Sequence, residues 1–221
     1  MGLQKVFPSF EIVIVNDGSS DNTDIVSKEL SDTYKFIRTV NHKKNEGFGA
    51  AYRTAFENAT GKFCILVPGD NAHPGQTLIP ILERAGTADI IIPFTSNPEA
   101  RTYFRQKTSS LFVFIINSTM GLNIKYYNGL VLHNTELLKM VKPQTSGYAY
   151  QAEILVKLVK AGASYVEVGT RISERSSGET KAFKFRNVIR VVASLLHLIR
   201  IFWGAERVES KELRSYINKN R

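Results

Sequence analysis

Short apolar runs rich in β-branched residues alternate with segments of helical periodicity over the first 170 residues. The runs predict strands at 11–15, 36–40, 63–67, 89–94, 127–133 and 164–168. The spacing of apolar positions between them predicts helices at 25–30, 45–59, 77–85, 101–120 and 148–161. This alternation is typical of βαβ units, so we expect an α/β fold with a mostly parallel sheet flanked by helices.

Residues 185–203 form an apolar segment that is interrupted by basic residues at helical spacing. On a helix, Arg186, Arg190 and Arg200 fall on one side, and Val188, Leu195 and Ile199 fall on the other. A membrane-spanning helix would not carry such a basic stripe. The pattern favours an amphipathic helix at a membrane interface, and the alternative is a helix that packs against the core of the domain.

The net positive charge of the chain is concentrated in its C-terminal segment. The chain has 221 residues, 43% of them hydrophobic, and a net charge of +9, of which residues 171–221 carry +7. A basic segment suits an anionic membrane surface or a nucleic acid, but aromatic residues are not interleaved with these cations, so we expect no nucleic-acid partner. The single cysteine, Cys64, excludes an intramolecular disulfide.

Polar and glycine-rich clusters follow three of the predicted strands or open the next helix, at 16–21, 45–49 and 68–74. In a parallel sheet the carboxyl ends of the strands meet at one edge, so we expect these clusters to lie together. Asp17 could accept hydrogen bonds from a base or ribose there, or it could simply cap a turn. Asp70 could hold a divalent cation that bridges a diphosphate.

Three motifs carry a resemblance to a known family. They are Val-Asn-Asp-Gly-Ser-Ser-Asp-Asn-Thr from residue 15, Asn-Glu-Gly-Phe-Gly-Ala-Ala from residue 45 and Gly-Asp-Asn-Ala-His-Pro from residue 69. In order and spacing the chain resembles the family 2 glycosyltransferases of the GT-A fold over roughly residues 11–180. Within that family it is most similar to dolichol-phosphate mannose synthases and bacterial polyprenyl-phosphate glycosyltransferases.

The resemblance implies a set of donor-binding residues. Asp17 and Gly18 would contact the nucleotide of a UDP- or GDP-linked sugar, and Gly47 and Gly49 would let the following helix approach it closely. Asp70 would hold Mg²⁺ or Mn²⁺ and act in catalysis. It takes the place of the second acid of the family's Asp-x-Asp motif, whose first acid is replaced here by Pro68.

The resemblance also implies acceptor-binding residues. Arg175 and Lys181, in the loop that follows the last predicted strand, would hold the acceptor phosphate and act in catalysis. Arg105 and Ser109, on the predicted helix 101–120, would reach the same phosphates. Glu153 would lie near the acceptor as a further catalytic residue.

One feature of these relatives is absent before the first predicted strand. They begin with a strand, a Pro-x-Tyr-Asn-Glu turn and a helix, whereas ten residues precede position 11. We therefore expect a catalytic domain at 1–180 that lacks the usual first strand and helix. We expect a basic amphipathic membrane-interface helix and tail at 181–221.

The expected activity is inverting transfer of a sugar from a nucleotide-sugar to a polyprenyl (dolichyl or undecaprenyl) phosphate, by an enzyme on the cytoplasmic face of a membrane. Two alternatives remain open. One is transfer to a polysaccharide or protein, with Glu153 as general base. The other is a catalytically inactive relative that binds a membrane, which the replacement of an acid by Pro68 and the missing first strand suggest.

Overall fold

The computed structural model describes residues 9–70, 75–144, 149–171, 196, 199–200 and 207–220. Helices and strands alternate through most of this part of the chain, as expected. In order they are β1 (Ile12–Asn16), α1 (Thr23–Thr33), β2 (Ile37–Asn41), α2 (Phe48–Asn58), β3 (Phe63–Ile65), α3 (Gly75–Leu82), β4 (Ile90–Thr95), a 3₁₀ turn (Pro98–Ala100), α4 (Tyr103–Met120), β5 (Leu132–Asn134), α5 (Thr135–Met140), α6 (Tyr150–Ala161), β6 (Tyr165–Thr170) and α7 (Arg207–Lys219).

The strands form two sheets in which parallel pairing predominates. Strands β1 and β2 pair in parallel, with Ile12 opposite Ile37, and the second sheet has the order β3-β5-β4-β6. Strands β4 and β6 also pair in parallel, with Ile90 opposite Tyr165. The short β5 runs antiparallel to both β3 and β4. The expected α/β fold is confirmed, with one antiparallel strand inserted into the second sheet.

The strand predicted at 127–133 is much shorter in the structure. Its pairing with β4 ends where Ile91 lies opposite Leu132. Two positions further along β4, Pro93 has no N–H to donate to a ladder. The backbone of Gly129 approaches that ring so closely that an added Cβ would lie 2.8 Å from Cγ of Pro93. The apolar residues of this stretch are buried but do not pair with another strand. Their burial explains why the sequence pattern predicted a strand longer than the one observed.

A carboxylate joins the amino ends of the first strands. Glu11, just before β1, accepts hydrogen bonds from the backbone N–H groups of Thr60 (2.5 Å) and Gly61 (3.0 Å), which precede β3. It also accepts one from Arg38 of β2 at 2.7 Å. Partial burial alone would raise the pKa of Glu11, but these hydrogen bonds lower it to about 2. Strands β1 and β3 therefore start side by side, and the ionised carboxylate holds them there.

The core lies on both faces of the second sheet. Because side chains alternate along a strand, Ile90 and Ile92 of β4 point into the larger cluster, and Ile91 points into the smaller one. Helices α2, α4, α5, α6 and α7 all contribute to the larger cluster, and α3 covers the smaller one with Ile81 and Leu82. The strands are thus held rigidly between helical layers, which fixes the positions of the loops at their ends.

Helix α7 belongs to the larger core cluster, although it lies in the segment 181–221 that the sequence assigns to a membrane-interface helix and tail. Leu213 and Ile217 are 2% and 4% exposed. The Arg214 guanidinium donates to the carbonyl of Lys160 at 3.0 Å, and the Tyr216 hydroxyl donates to Glu136. This part of the basic segment therefore packs on the domain.

The predicted amphipathic helix 185–203 lies outside the described residues except at three positions. Ile199 packs against the larger core cluster, whereas Leu196 is 63% exposed. Among the helices described, none is both long and apolar enough to cross a bilayer. A membrane-interface role for this segment stays a prediction.

Candidate active site

Asp17 connects the loops that follow the two parallel strands β1 and β2. Its carboxylate accepts hydrogen bonds from Nδ1 of His42 (2.8 Å) and from the backbone N–H groups of Glu46 (2.9 Å) and Gly47 (2.8 Å). Burial opposes ionisation of this carboxyl, but its three donors outweigh burial and lower the pKa of Asp17. The carboxylate is therefore ionised at neutral pH and fixes the loop that leads into α2.

The imidazole of His42 extends this connection into α2. Its Nε2 lies 2.8 Å from Oγ1 of Thr54, while Nδ1 donates to Asp17. Both ring nitrogens of His42 therefore have a hydrogen-bond partner. Among the residues that the structure describes, Oδ2 of Asp17 accepts the Gly47 bond alone, which leaves acceptor capacity for a donor group such as a base or a ribose hydroxyl.

Glycines allow the two loops to meet. Gly18 has a φ of +66°, and a Cβ built on it would lie 2.5 Å from the carbonyl carbon of Lys44. Only glycine fits such an approach of one backbone to another. Gly47, with a φ of +93°, precedes the first turn of α2, and Gly49 is buried within that turn. The structure thus gives Gly18 and Gly47 roles in loop geometry, and their contact with a donor stays a prediction.

Asp70 lies in a turn after β3, and its side chain is exposed. The neighbouring Gly69 has open space where a Cβ would point. Within the described ranges no three side chains of the His, Cys, Asp and Glu types come together as a metal site. Mg²⁺ or Mn²⁺ bound with a diphosphate often needs only one or two protein carboxylates. Asp70 fits that limited requirement as a single hard oxygen ligand.

Helix α4 presents the predicted acceptor residues on its inward side. Arg105 and Ser109 lie in one stripe with Phe112 and Ile116, at spacings of three and four residues, and the latter two are buried in the core. Arg105 itself is exposed, and Ser109 is half-buried. The stripe therefore continues from the core to the surface at the amino end of the helix, where a bound phosphate could meet Arg105.

Glu153 lies in a different environment from the one expected of a catalytic base. It is 0% exposed and forms an ion pair with Lys157 at 2.9 Å, one turn further along α6. It also accepts a hydrogen bond from the backbone N–H of Gln144 at 2.8 Å. An acceptor would have to reach a carboxylate with no exposed surface, so these contacts favour a structural role.

The segment that Glu153 contacts is held from several sides. Lys157 donates to the carbonyl of Lys142 at 2.8 Å, and Arg53 of α2 donates to the carbonyl of Pro143 at 2.7 Å. Residues 142–144 are therefore fixed between α2 and α6. This arrangement links the helix that follows the Asp17 loops to the helix that carries Glu153.

Sequence reasoning located some of these residues and missed others. The structure brings Asp17, Gly18, Gly47 and Gly49 together, and Arg175 and Lys181 lie outside the described residues. Sequence reasoning missed His42, Thr54 and Lys157. The signal for His42 was its position directly after a strand parallel to β1, and the signal for Lys157 was its spacing of four residues from Glu153.

The profile of the family described as "Glycosyl transferase family 2" matches residues 3–140, which is more than half of the chain. The chain belongs to glycosyl transferase family 2. Among its relatives is the uncharacterized glycosyltransferase YibD of Escherichia coli, which is 33% identical over 69 residues, 31% of this chain and 20% of that protein. Another is the uncharacterized glycosyltransferase YkcC of Bacillus subtilis, 19% identical over 122 residues, 55% of this chain and 38% of that protein. This family 2 chain thus spans well under half the length of both relatives.

Solved structures of a mycobacterial protein share the fold of this family 2 chain. The structure of glucosyl-3-phosphoglycerate synthase from Mycobacterium tuberculosis in complex with UDP matches with a TM-score of 0.62 and 16% identity, covering 89% of this chain and 74% of the synthase. A structure of the same synthase with Mn²⁺, UDP-glucose and phosphoglyceric acid matches with a TM-score of 0.59 and 17% identity, covering 89% and 73%. The GT-A fold expected for the chain is confirmed by this similarity.

Proposed function

We propose that this chain transfers a sugar, with inversion, from a nucleotide-sugar to a polyprenyl phosphate. The observation that carries the proposal is an exposed carboxylate, Asp70, directly after a strand of a family 2 domain whose Asp17 fixes the loops after two neighbouring strands. Family membership favours sugar transfer over a purely structural role. The proposal for the acceptor rests on the similarity of the motifs to polyprenyl-phosphate glycosyltransferases.

The donor side uses residues that the structure describes. Oδ2 of Asp17 is available to accept a hydrogen bond from the nucleotide, and the ordered loop at 42–47 supports it. Asp70 is the residue that would hold Mg²⁺ or Mn²⁺, and such a cation supplies neutralising charge to a diphosphate leaving group. The solved structures of the mycobacterial synthase contain UDP-glucose with Mn²⁺, which supports this kind of donor.

The acceptor side needs cations more than it needs a base. An oxygen of a lipid phosphate is already anionic at neutral pH, so it can attack the anomeric carbon without losing a proton. The new bond joins this oxygen to the anomeric carbon, and the bond to the nucleoside diphosphate breaks on the opposite face, which gives inversion. Arg105, Arg175 and Lys181 would position the acceptor phosphate, with Ser109 beside them. Such an enzyme would lie peripherally on the cytoplasmic face of an anionic membrane.

A small phosphorylated acid is the second candidate acceptor. The mycobacterial synthase of the same fold was solved with phosphoglyceric acid. This acceptor would use the same cations, since it also presents a phosphate group. Transfer to a polysaccharide or protein with Glu153 as base is less well supported, because that side chain is fully buried in an ion pair.

Donor binding and transfer test the proposal together. We expect calorimetric titration to show that a UDP- or GDP-sugar binds in the presence of Mg²⁺ or Mn²⁺. We expect Asp70→Asn to abolish this metal-dependent binding. Asp32→Asn, which removes an exposed carboxylate paired with Lys28 on α1, is the matched control and should bind normally. Equal metal-dependent affinity in Asp70→Asn would remove Asp70 from the site.

The acceptor is tested with detergent-solubilised undecaprenyl phosphate and with phosphoglyceric acid, each supplied with a labelled donor sugar. Label should pass to the lipid phosphate, and the double variant Arg175→Ala and Lys181→Ala should lower transfer while leaving donor affinity unchanged. Transfer to phosphoglyceric acid alone would select the second acceptor. Failure to transfer any sugar would contradict the proposed function.

A further inference from the structure

Helix α4 exposes an apolar face on the side away from the core. Tyr103 is 73% exposed, Leu111 is 58% exposed and Phe114 is 67% exposed. Successive members are eight and three residues apart, so they share one face of the helix, opposite the stripe that contains Phe112 and Ile116. Together they present apolar surface on the order of a few hundred Å², which in soluble proteins often marks an interaction site.

The charged residue on this face is basic. Between Glu99 and Glu136 the chain contains no acidic residue. Lys107 lies on the apolar face itself, with its ammonium group 5.3 Å from the centre of the Tyr103 ring. An apolar stripe with a tyrosine at one end and lysine among its members is typical of helices that lie in a membrane interface.

We propose that the outward face of α4, formed by Tyr103, Lys107, Leu111 and Phe114, docks on an anionic lipid surface. Leu111 and Phe114 enter the boundary between headgroups and acyl chains, and Lys107 stays at the level of the anionic headgroups. The inference deepens the peripheral membrane location proposed above and rests on it for the choice of a lipid surface. It concerns a different part of the chain from residues 185–203.

Charge selects a lipid surface over the other possible occupants. A second copy of this chain would place the two Lys107 ammonium groups on the same side of a two-fold contact, where they repel each other. The segment 185–203 also carries basic residues and no acidic ones, so it offers Lys107 no opposite charge. An anionic lipid surface satisfies both the apolar side chains and the Lys107 ammonium group.

A fluorescent probe at position 114 tests the contact directly. Burial raises the pKa of the Cys64 thiol to about 11, so a surface cysteine reacts first at neutral pH. Phe114→Cys carries a nitrobenzoxadiazole (NBD) label, whose emission rises and shifts to the blue in an apolar environment. Val26→Cys, at an exposed position on α1 (51%), carries the same label as the matched control.

With vesicles of equal parts phosphatidylcholine and phosphatidylglycerol, we expect emission to rise at position 114 and to stay constant at position 26. Pure phosphatidylcholine vesicles should give little change at either position. If the chain binds vesicles while the probe at 114 keeps its aqueous emission, another segment makes the contact and the inference is wrong. A rise with protein concentration in the absence of vesicles would assign the face to a second copy.

A pair of double variants measures the contribution of the face to binding. Leu111→Gln with Phe114→Gln should lower partitioning into the anionic vesicles by about tenfold or more. Ile25→Gln with Val26→Gln should leave partitioning unchanged. Circular dichroism checks the fold of each variant. If either double variant does not fold, the NBD emission at positions 114 and 26 tests the inference instead. No donor is present, so a negative result leaves the proposed sugar transfer to be tested separately.

Discussion

His133 lies in the middle of the second sheet, with its imidazole fully buried. In the register of the strands it is opposite Cys64 of β3 and Ile90 of β4. Neither ring nitrogen has a hydrogen-bond partner among the residues that the structure describes. Burial lowers the pKa of His133 from 6.5 to about 3, so the folded protein holds a neutral imidazole.

This histidine should make the fold sensitive to mild acid. The unfolded chain binds a proton near pH 6.5 and the folded chain does not, so stability is full above that pH and falls as pH drops toward 3. The free energy of unfolding should decrease by at most about 1.4 kcal/mol per pH unit through this group. His133→Leu should flatten the decrease, as measured by urea unfolding at a series of pH values.

Glu11 provides an internal comparison for that measurement. Its pKa is lowered from 4.5 to about 2 in the fold, so its contribution is lost only as pH falls from 4.5 toward 2. The range between pH 6.5 and 4.5 therefore separates the contribution of His133 from that of Glu11. An unchanged slope in His133→Leu over that range would show that His133 is solvated or paired in the folded protein.

At the residue scale, the sequence predicted that Asp17 and Gly18 matter but left their role open. Both the alternative of a turn cap and the nucleotide contact depend on which groups surround the carboxylate. Its partners, His42 and Gly47, are 25 and 30 residues away in the chain. They reach it only because β1 and β2 pair in parallel and in register. No local pattern specifies that register. The position of His42 directly after a strand marked it as a candidate, but its contact with Asp17 could not be predicted.

At the scale of one helix, the pair Glu153 and Lys157 gives α6 a charged contact inside the core. Removal of one partner leaves the other charge buried without its ion pair, which typically costs about 3–5 kcal/mol. We expect Glu153→Ala to lower the free energy of unfolding by roughly that amount. Replacement of both residues, Glu153→Met with Lys157→Leu, should restore much of the loss, as measured by urea unfolding.

A measurement of sugar transfer distinguishes this structural role of Glu153 from a catalytic role. If Glu153 acts only through the fold, the double variant should regain sugar transfer together with stability. A stable double variant that has lost transfer, with unchanged donor affinity, would instead support the acceptor-side catalytic role inferred from the family resemblance. Glu57→Ala, at the end of α2, is a suitable control for the loss of one helical carboxylate.

Elements with strong periodicity were predicted well, and short or polar ones were not. The 18-residue helix α4 was predicted within two residues of its start and at its exact end. The six-residue α5 was missed, because one and a half turns contain too few positions to show a period. Helix α7 was missed because only Leu213, Tyr216 and Ile217 mark an apolar side in an otherwise polar segment.

At the scale of the whole molecule, the alternation of elements predicted the fold class but not the order of strands. The second sheet places β5 between β3 and β4, an arrangement that depends on contacts between distant parts of the chain. The same limit applies to the boundary drawn at residue 180. Charge and hydropathy assigned everything after it to a membrane-interface helix and tail, whereas burial of Leu213 and Ile217 joins α7 to the larger core cluster.

The packing of α7 against the core contributes to the stability of the domain. Leu213 and Ile217 are almost fully buried beside α6, and truncation of such side chains usually costs about 2–5 kcal/mol each. We therefore expect Leu213→Ala and Ile217→Ala each to lower the free energy of unfolding within that range, as measured by urea denaturation. Leu196→Ala, at an exposed position of the same C-terminal region, should change it by less than about 0.5 kcal/mol. If all three variants were equally stable, α7 would be only loosely attached in solution, and the tail predicted from charge would describe this region better than the packed helix does.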